Sequence, residues 1–209
     1  MKDMGAKERR EREREQRKGQ ILDTARALLL EKGMNATSIN QIAKHSELSV
    51  GAIYFYFKDK EELFAALQVE GLELLRQKIS QAVDSKMPPE KKIRSIASAY
   101  FQFSEEHKNY FDIINYFLAS PETIFSEKLK KEIDEHGNAS INTLTLAIRE
   151  GMDCGQFKAV DPRRQAIILW SAFNGMIQLK KLQKTILAEN EYSSLYMEIV
   201  DRFLDGLLN

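Results

Sequence analysis

SVGAIYFYFKDKEEL, residues 49–63, places four aromatic rings in succession at Tyr54, Phe55, Tyr56 and Phe57. Successive helical residues lie about 100° apart around the axis, so four rings in a row span nearly the whole circumference and cannot all face one core. Ile53 and Phe57, one turn apart, form an inward pair. Tyr54 and Tyr56 then lie off the core face, each with an apolar ring and a hydroxyl. Behind them stand Ser49, a cap for a short helix, and Gly51, which leaves that helix without a side chain at one point of its surface.

Upstream, Ile21, Leu22, Ala25, Leu28 and Leu29 recur at i, i+1, i+4, i+7, i+8 and predict a first helix ending near Lys32, with Gly33 as its stop. Thr37 or Ser38 caps a short second helix. Ser38 and Gln41 have capping-box spacing there, and Ile39, Ile42 and Ala43 face inward. The turn HSEL separates it from the third helix, and Asp59 or Lys58 opens a fourth, whose stripe from Leu63 to Ile79 runs to about Val83. SKMPP at 85–89 breaks it. Further helices are expected at roughly 90–106, 109–118, 122–152, 162–184 and 193–208, with Asp161-Pro162 as a clean start for the second-last. The fold expected is all-α with about nine helices. A three-helix head is joined by the long fourth helix to a larger helical regulatory and dimerisation domain.

The 209 residues suffice to bury a core, and 43% hydrophobic with 30% charged residues is a helix-rich globular balance. Cys154 is the sole cysteine, which excludes a disulfide framework and a cysteine metal site. No apolar run approaches about 18 residues and the N-terminus is charged, so neither a membrane span nor a secretory signal is expected, and the chain reads as cytoplasmic. The net charge of zero hides an asymmetry: residues 1–60 hold 13 Lys/Arg against 9 Asp/Glu, leaving an acidic remainder. A mildly basic head suits nucleic acid. The first 18 residues interleave Arg/Lys with Glu and read either as a solvated extension of the first helix or as a basic arm for DNA, the glutamates opposing a strong arm. The expected boundaries are 1–16 for this extension, 17–62 for the head and 63–209 for the body.

Three short helices with a tight turn between the second and third have the layout of a helix-turn-helix DNA reader. At residues 33–63 the pattern G-x-x-x-T-S-I-x-Q-I-A-x-x-S-x-L-S-x-G-x-x-Y-x-Y-F-x-x-K-x-x-L resembles the N-terminal domain of TetR-family transcriptional regulators, a match covering about residues 17–65. The residues and the resemblance together select Thr37, Ser38, Gln41, Lys44, Ser49, Val50, Gly51, Ala52, Tyr54, Phe55, Tyr56 and Lys60 as the DNA-facing set. Tyr54 and Tyr56 can donate to phosphate oxygens, Lys60 and Thr37 stand at helix starts near the backbone, and Gln41 and Lys44 support base reading by the small residues of the third helix. Phe55 either touches a thymine methyl or packs on a neighbouring helix. The family usually has Gly where this chain has Glu47. If that position is left-handed, Glu costs about 1 kcal/mol relative to Gly. His45 beside it reads as a surface residue.

The resemblance implies a homodimer built from the last two helices. The candidates on their stripes are Trp170, Ile177, Tyr196, Ile199, Val200, Phe203, Leu204 and Leu207. It also implies a cavity for a small apolar effector in the body. Tyr100, Phe103, Tyr110, Asn115, Phe117, Trp170, Phe173 and Asn174 are the candidates for its lining, although aromatics at helical spacing also serve as core. No G-x-S-x-G, phosphate loop or H-x-x-x-H is present, and His45, His107 and His136 lack ligand spacing, so no enzyme, metal or cofactor is expected. The function expected is a repressor that binds a palindromic operator and is released by its effector. The alternatives are a helical protein-interaction adaptor and a ligand-independent DNA-binding regulator.

Overall fold

A helix begins where its orphan N–H groups find acceptors, and the head shows this at each start. In the computed structural model, which describes residues 2–119, 125–182 and 192–208, α1 (Lys2–Ala36) is broken at Gly33, whose φ of 76° only glycine adopts freely. Ser38 caps α2 (Ile39–His45) in a full capping box: its hydroxyl accepts from Gln41 N–H, and the Gln41 side-chain oxygen accepts from Ser38 N–H. Ser49 caps α3 (Val50–Tyr56). Asp59, whose carboxylate accepts from Glu62 N–H at 2.8 Å, opens α4 (Lys60–Ala82). Then follow α5 (Pro89–Glu106), α6 (Lys108–Leu118), α7 (Glu127–Asp153), α8 (Pro162–Gln178) with a 3₁₀ turn at Leu179–Leu182, and α9 (Tyr192–Leu207). Among the described residues the only extended pairing is one isolated bridge, Phe157 with Leu208. The fold is all-α, as the periodicities predict. The expected starts and ends at 122 and 183–184 lie outside the described residues.

The chain divides into two compact units. The first takes the chain up to Gly71 together with Asn109–Ile133. Its core joins Ile21, Ala25 and Leu28 of α1, Ile39 and Ile42 of α2, Ile53 and Phe57, Leu63, Phe64 and Leu67 of α4, and Ile113 of α6. Thus α6, which the sequence reading assigned to the body, completes the head. A Cβ at Gly71 would lie 3.1 Å from the Tyr110 ring, so the missing side chain lets α4 and α6 approach closely. Arg26 of α1 donates to the Tyr110 hydroxyl and lies 4.4 Å from its ring centroid. Burial pushes the Tyr110 phenol up to about 12.

The second unit comprises Leu72–Lys108 and Asp134–Asn209. Its α9 packs on α5 and α8. Tyr196, fully buried, donates its hydroxyl to Ala97 O at 2.9 Å, and Tyr192 donates to Met176 O at 2.9 Å. Each phenol thereby satisfies its polar end inside an apolar core. The buried Lys92 of α5 is paired with Glu150 of α7 at 2.5 Å.

The turn between α2 and α3 is held from both sides. Leu48 N–H donates to Ala43 O, the Ser46 hydroxyl donates to Ile42 O, and the Gln20 side chain reaches Ser46 O at 2.9 Å. Glu47 sits between them at φ 56°, the left-handed conformation considered for it above. Glu47→Gly should therefore raise the stability of the head by about 0.5–1 kcal/mol, the relieved strain outweighing the extra unfolded-chain entropy of glycine. Glu47→Val should lower it. Thermal or urea unfolding of the two variants checks this; equal midpoints for both would show that the turn holds no strain.

Candidate nucleic-acid interface

The recognition segment is built from α3 outward. The Ser49 hydroxyl accepts from Ala52 N–H at 3.1 Å, and Phe57 N–H closes the last turn on Ile53 O at 3.0 Å. Ile53 and Phe57 are buried, as their spacing predicts. The other rings divide by geometry. Tyr54 is 52% exposed and Phe55 71%, while Tyr56 is half-buried against the head core, edge-on to Phe55. Phe55 is therefore not packed into a neighbouring helix; its described companions are Tyr56 and the Arg14 guanidinium, 6.0 Å from its ring. A Cβ at Gly51 would meet only the Ser49 hydroxyl, at 3.9 Å. Nothing inside the head calls for glycine at that point, so its flatness serves the outer surface.

Around α3 the other expected residues take distinct places. Ser49, Val50 and Gly51 are exposed, Ala52 is half-buried, and Lys44 is exposed at the end of α2. Ser38 is exposed but its hydroxyl is engaged at the cap, as is the carboxamide oxygen of Gln41, which leaves the Gln41 NH₂ to donate outward. Thr37 is a correction. It is fully buried, and its hydroxyl donates to Gly33 O at 2.8 Å, so it ties α2 to the end of α1 and has no surface for a phosphate. Lys60 is part-buried over the Phe64 ring, and its ammonium donates to Met34 O. Burial lowers its pKa, and the ammonium keeps two further donors. His45 Nδ1 lies 2.8 Å from Gln41 O. Sequence reasoning missed Arg14 and Lys18 of α1, which stand over Phe55 and Phe57 at 6.0 and 5.9 Å; their i, i+4 spacing was the available signal.

The residues expected to line an effector cavity fall into two groups. Tyr110, Asn115 and Phe117 belong to the first unit, where Phe117 packs on Phe64 and Phe125 and the Asn115 amide donates to Phe111 O. Tyr100, Phe103, Trp170, Phe173 and Asn174 belong to the second. There Tyr100 lies against Trp170 with tilted rings, centroids 4.6 Å apart, stacks on Phe173 at 6.2 Å and donates to Asn174 Oδ1 at 2.5 Å. Burial pushes the Tyr100 phenol well above its usual range. Of the residues expected at a dimer interface, Ile177, Tyr196, Val200, Leu204 and Leu207 are buried within the second unit, while Trp170, Ile199 and Phe203 keep partial exposure. The described residues hold no group of His, Cys, Asp and Glu arranged to bind a metal, and no helix among them is long and apolar enough to cross a membrane.

Residues 21–67 match the family model of bacterial regulatory proteins, tetR family. The HTH-type transcriptional regulator YhgD of Bacillus subtilis is 26% identical over 161 residues, 77% of this chain and 82% of that protein. The HTH-type transcriptional regulator QacR of Staphylococcus aureus is 27% identical over 192 residues, 91% of this chain and 97% of that protein. In fold, the chain resembles the crystal structure of the transcriptional regulator FadR from Bacillus subtilis in complex with stearoyl-CoA. That likeness has a TM-score of 0.75 at 20% identity, over 90% of this chain and 97% of that one.

Tyr54→Phe keeps the exposed ring and removes the hydroxyl. The variant should bind duplex DNA about 5- to 10-fold more weakly, the worth of one hydrogen bond to a phosphate at about 1–1.4 kcal/mol. Fluorescence anisotropy reads the change, and an unaltered affinity removes Tyr54 from the interface.

Proposed function

We propose that the chain is a member of the tetR family of bacterial regulatory proteins, whose family model its residues 21–67 match, and that it is a repressor that binds a palindromic operator as a homodimer and is released when a small apolar effector binds. The observation that carries the DNA-facing reading is the division of α3. Two buried residues fix the helix, and Tyr54 and Phe55 project from it beside a glycine that its own head does not need. The phenol offers a donor to phosphate, the Phe55 ring offers apolar contact to a thymine methyl, and the bare surface at Gly51 permits close approach to base edges. In this reading Lys44, the Gln41 NH₂ and the remaining donors of Lys60 supply the further contacts to DNA.

A head with so small a reading surface needs a second copy to span two half-sites. The apolar surface best suited to hold that copy lies on α8 and just beyond it, where Ile167 is 46%, Ile168 50% and Leu179 51% exposed. Ile199 and Phe203 of α9 and Trp170 add half-exposed apolar area, while Ile177, Tyr196, Val200, Leu204 and Leu207 serve as the core behind it. The structural neighbour solved with stearoyl-CoA, an apolar acyl chain on a charged headgroup, supports a ligand with an apolar part for this chain too. The cluster of Tyr100, Trp170, Phe173 and Asn174 supplies aromatic surface and one amide, whose NH₂ is the group left for such a ligand.

Two measurements test this reading. Ile167→Glu with Ile168→Glu should convert a dimer to a monomer in light scattering at micromolar concentration, and weaken binding to the DNA upstream of the gene at least tenfold. A wild-type chain of monomer mass would overturn the dimer. Stearoyl-CoA is the first effector probe: it should raise the unfolding midpoint and weaken DNA binding, and DNA must weaken its binding by the same factor. DNA binding that no apolar ligand alters would leave a ligand-independent regulator.

A further inference from the structure

The N-terminal part of α1 mixes two charge patterns. The i, i+4 pairs Lys7/Glu11, Glu8/Arg12, Arg9/Glu13 and Glu13/Arg17 oppose in sign, as in a solvated helix, while Arg10, Arg14 and Lys18 repeat like charges at that spacing, as do Glu11 and Glu15. Each like-charge pair costs an isolated helix about 0.2–0.5 kcal/mol. Among the described residues the segment forms one i, i+4 ion pair, Arg9 with Glu13. At about 100° per residue the signs separate into arcs. Lys7, Arg10, Arg14, Arg17 and Lys18 share one arc of about 100°, Glu8, Glu11 and Glu15 fill the arc beside it, Glu13 borders its other edge about 40° from Arg17, and Arg9 and Arg12 lie on the far side.

The basic arc is in line with Ile21, Ala25 and Leu28, the residues by which α1 enters the head core. It therefore continues past the start of the head on the side where α3 packs. The contacts agree: Arg14 lies 6.0 Å from the exposed Phe55 ring and Lys18 lies 5.9 Å from Phe57. Residues 7–17 are exposed, and the described ion pairs leave all five basic side chains of the arc without a carboxylate.

We infer that this segment is a second DNA-contacting surface, which lays Lys7, Arg10, Arg14, Arg17 and Lys18 along the phosphates next to the half-site held by α3. The five span eleven helical steps, about 16 Å, and so extend the contact well beyond a recognition helix of seven residues. The contact is to backbone and independent of base sequence. The acidic arc gives it an orientation, because turning the helix about its axis would bring Glu8, Glu11 and Glu15 against the phosphates. The inference rests on the head's binding of DNA, and its test separates the two.

The full-length chain, Lys7→Gln/Arg10→Gln/Arg14→Gln, Arg9→Gln/Arg12→Gln and Arg10→Lys/Arg14→Lys are titrated by anisotropy against a duplex of roughly 40 base pairs, long enough to extend past both half-sites. The duplex is the DNA upstream of the gene, and the salt concentration is varied. Each phosphate contact contributes about 0.9 to the slope of log affinity against log salt. The triple variant removes three contacts from each subunit of the dimer, so it should lose about 5 from that slope and bind at least roughly 100-fold more weakly at about 50 mM salt. It should lose as much slope on an unrelated duplex of equal length. The off-arc pair and the Arg→Lys pair should keep the wild-type slope. A triple variant with the wild-type slope overturns the inference, as does one whose oligomeric mass changes while its slope does not, which would make the arc a protein interface. A wild-type chain whose DNA binding ignores salt would overturn the phosphate reading of the head itself.

Discussion

The burial of Ile53 and Phe57 is the constraint on which the DNA-facing surface depends. A helix of seven residues has fewer than two turns, and isolated helices shorter than about 12–15 residues are marginal in water. What holds α3 is the Ser49 cap at one end and two buried side chains one turn apart. Because their positions fix the rotation of the helix, they also determine that Tyr54 and Phe55 point outward and that Gly51 lies on the open side. The braced turn before it fixes the entry angle, at the cost of a left-handed Glu47. Backbone strain of this kind persists where the surroundings over-determine it, and here Gln20, Ser46 and Leu48 do so.

The head is not a contiguous piece of chain. Ile113 of α6 is a fully buried member of its core, and Arg26, Tyr110 and the bare Gly71 bind α1, α6 and α4 into one packed group. A fragment ending near residue 62 would lack Leu63, Phe64, Leu67 and Ile113 and would expose the apolar surfaces of α1, α2 and α3 that these residues cover. The folded unit that presents α3 therefore depends on residues more than forty positions downstream of it in the sequence.

What the sequence made legible is local. Caps, the Gly33 stop, the inward pair of α3 and the boundaries of most helices follow from neighbours within four residues, and the structure shows them. What it hid is which surface covers which. The stripe Tyr196, Val200, Leu204 and Leu207 announces an apolar face, but period alone does not distinguish a partner subunit from α5 and α8 of the same chain. Tyr110 and Phe117 look like any aromatics of a body domain until α6 is seen on the head. Thr37 stood at a helix start and was placed at a phosphate; Ser38 had the capping role, and Thr37 was free to turn inward to Gly33.

The N-terminal segment shows the same limit from the other side. Counted along the chain, residues 1–18 interleave eight Lys/Arg with five Asp/Glu, which describes a mildly basic, solvated helix. Wound at 3.6 residues per turn, the same charges segregate, because Arg10, Arg14 and Arg17, spaced by three, four and seven, fall on one line while Glu8, Glu11 and Glu15 fall on the next. Net charge governs attraction at distances beyond a Debye length of about 8–10 Å; inside that distance the arrangement decides. A phosphate backbone a few ångströms away meets the basic arc alone. The glutamates that seemed to weaken a basic arm then act as its orienting charge, and this follows from the helix period together with the two rings, Phe55 and Phe57, that Arg14 and Lys18 overlie.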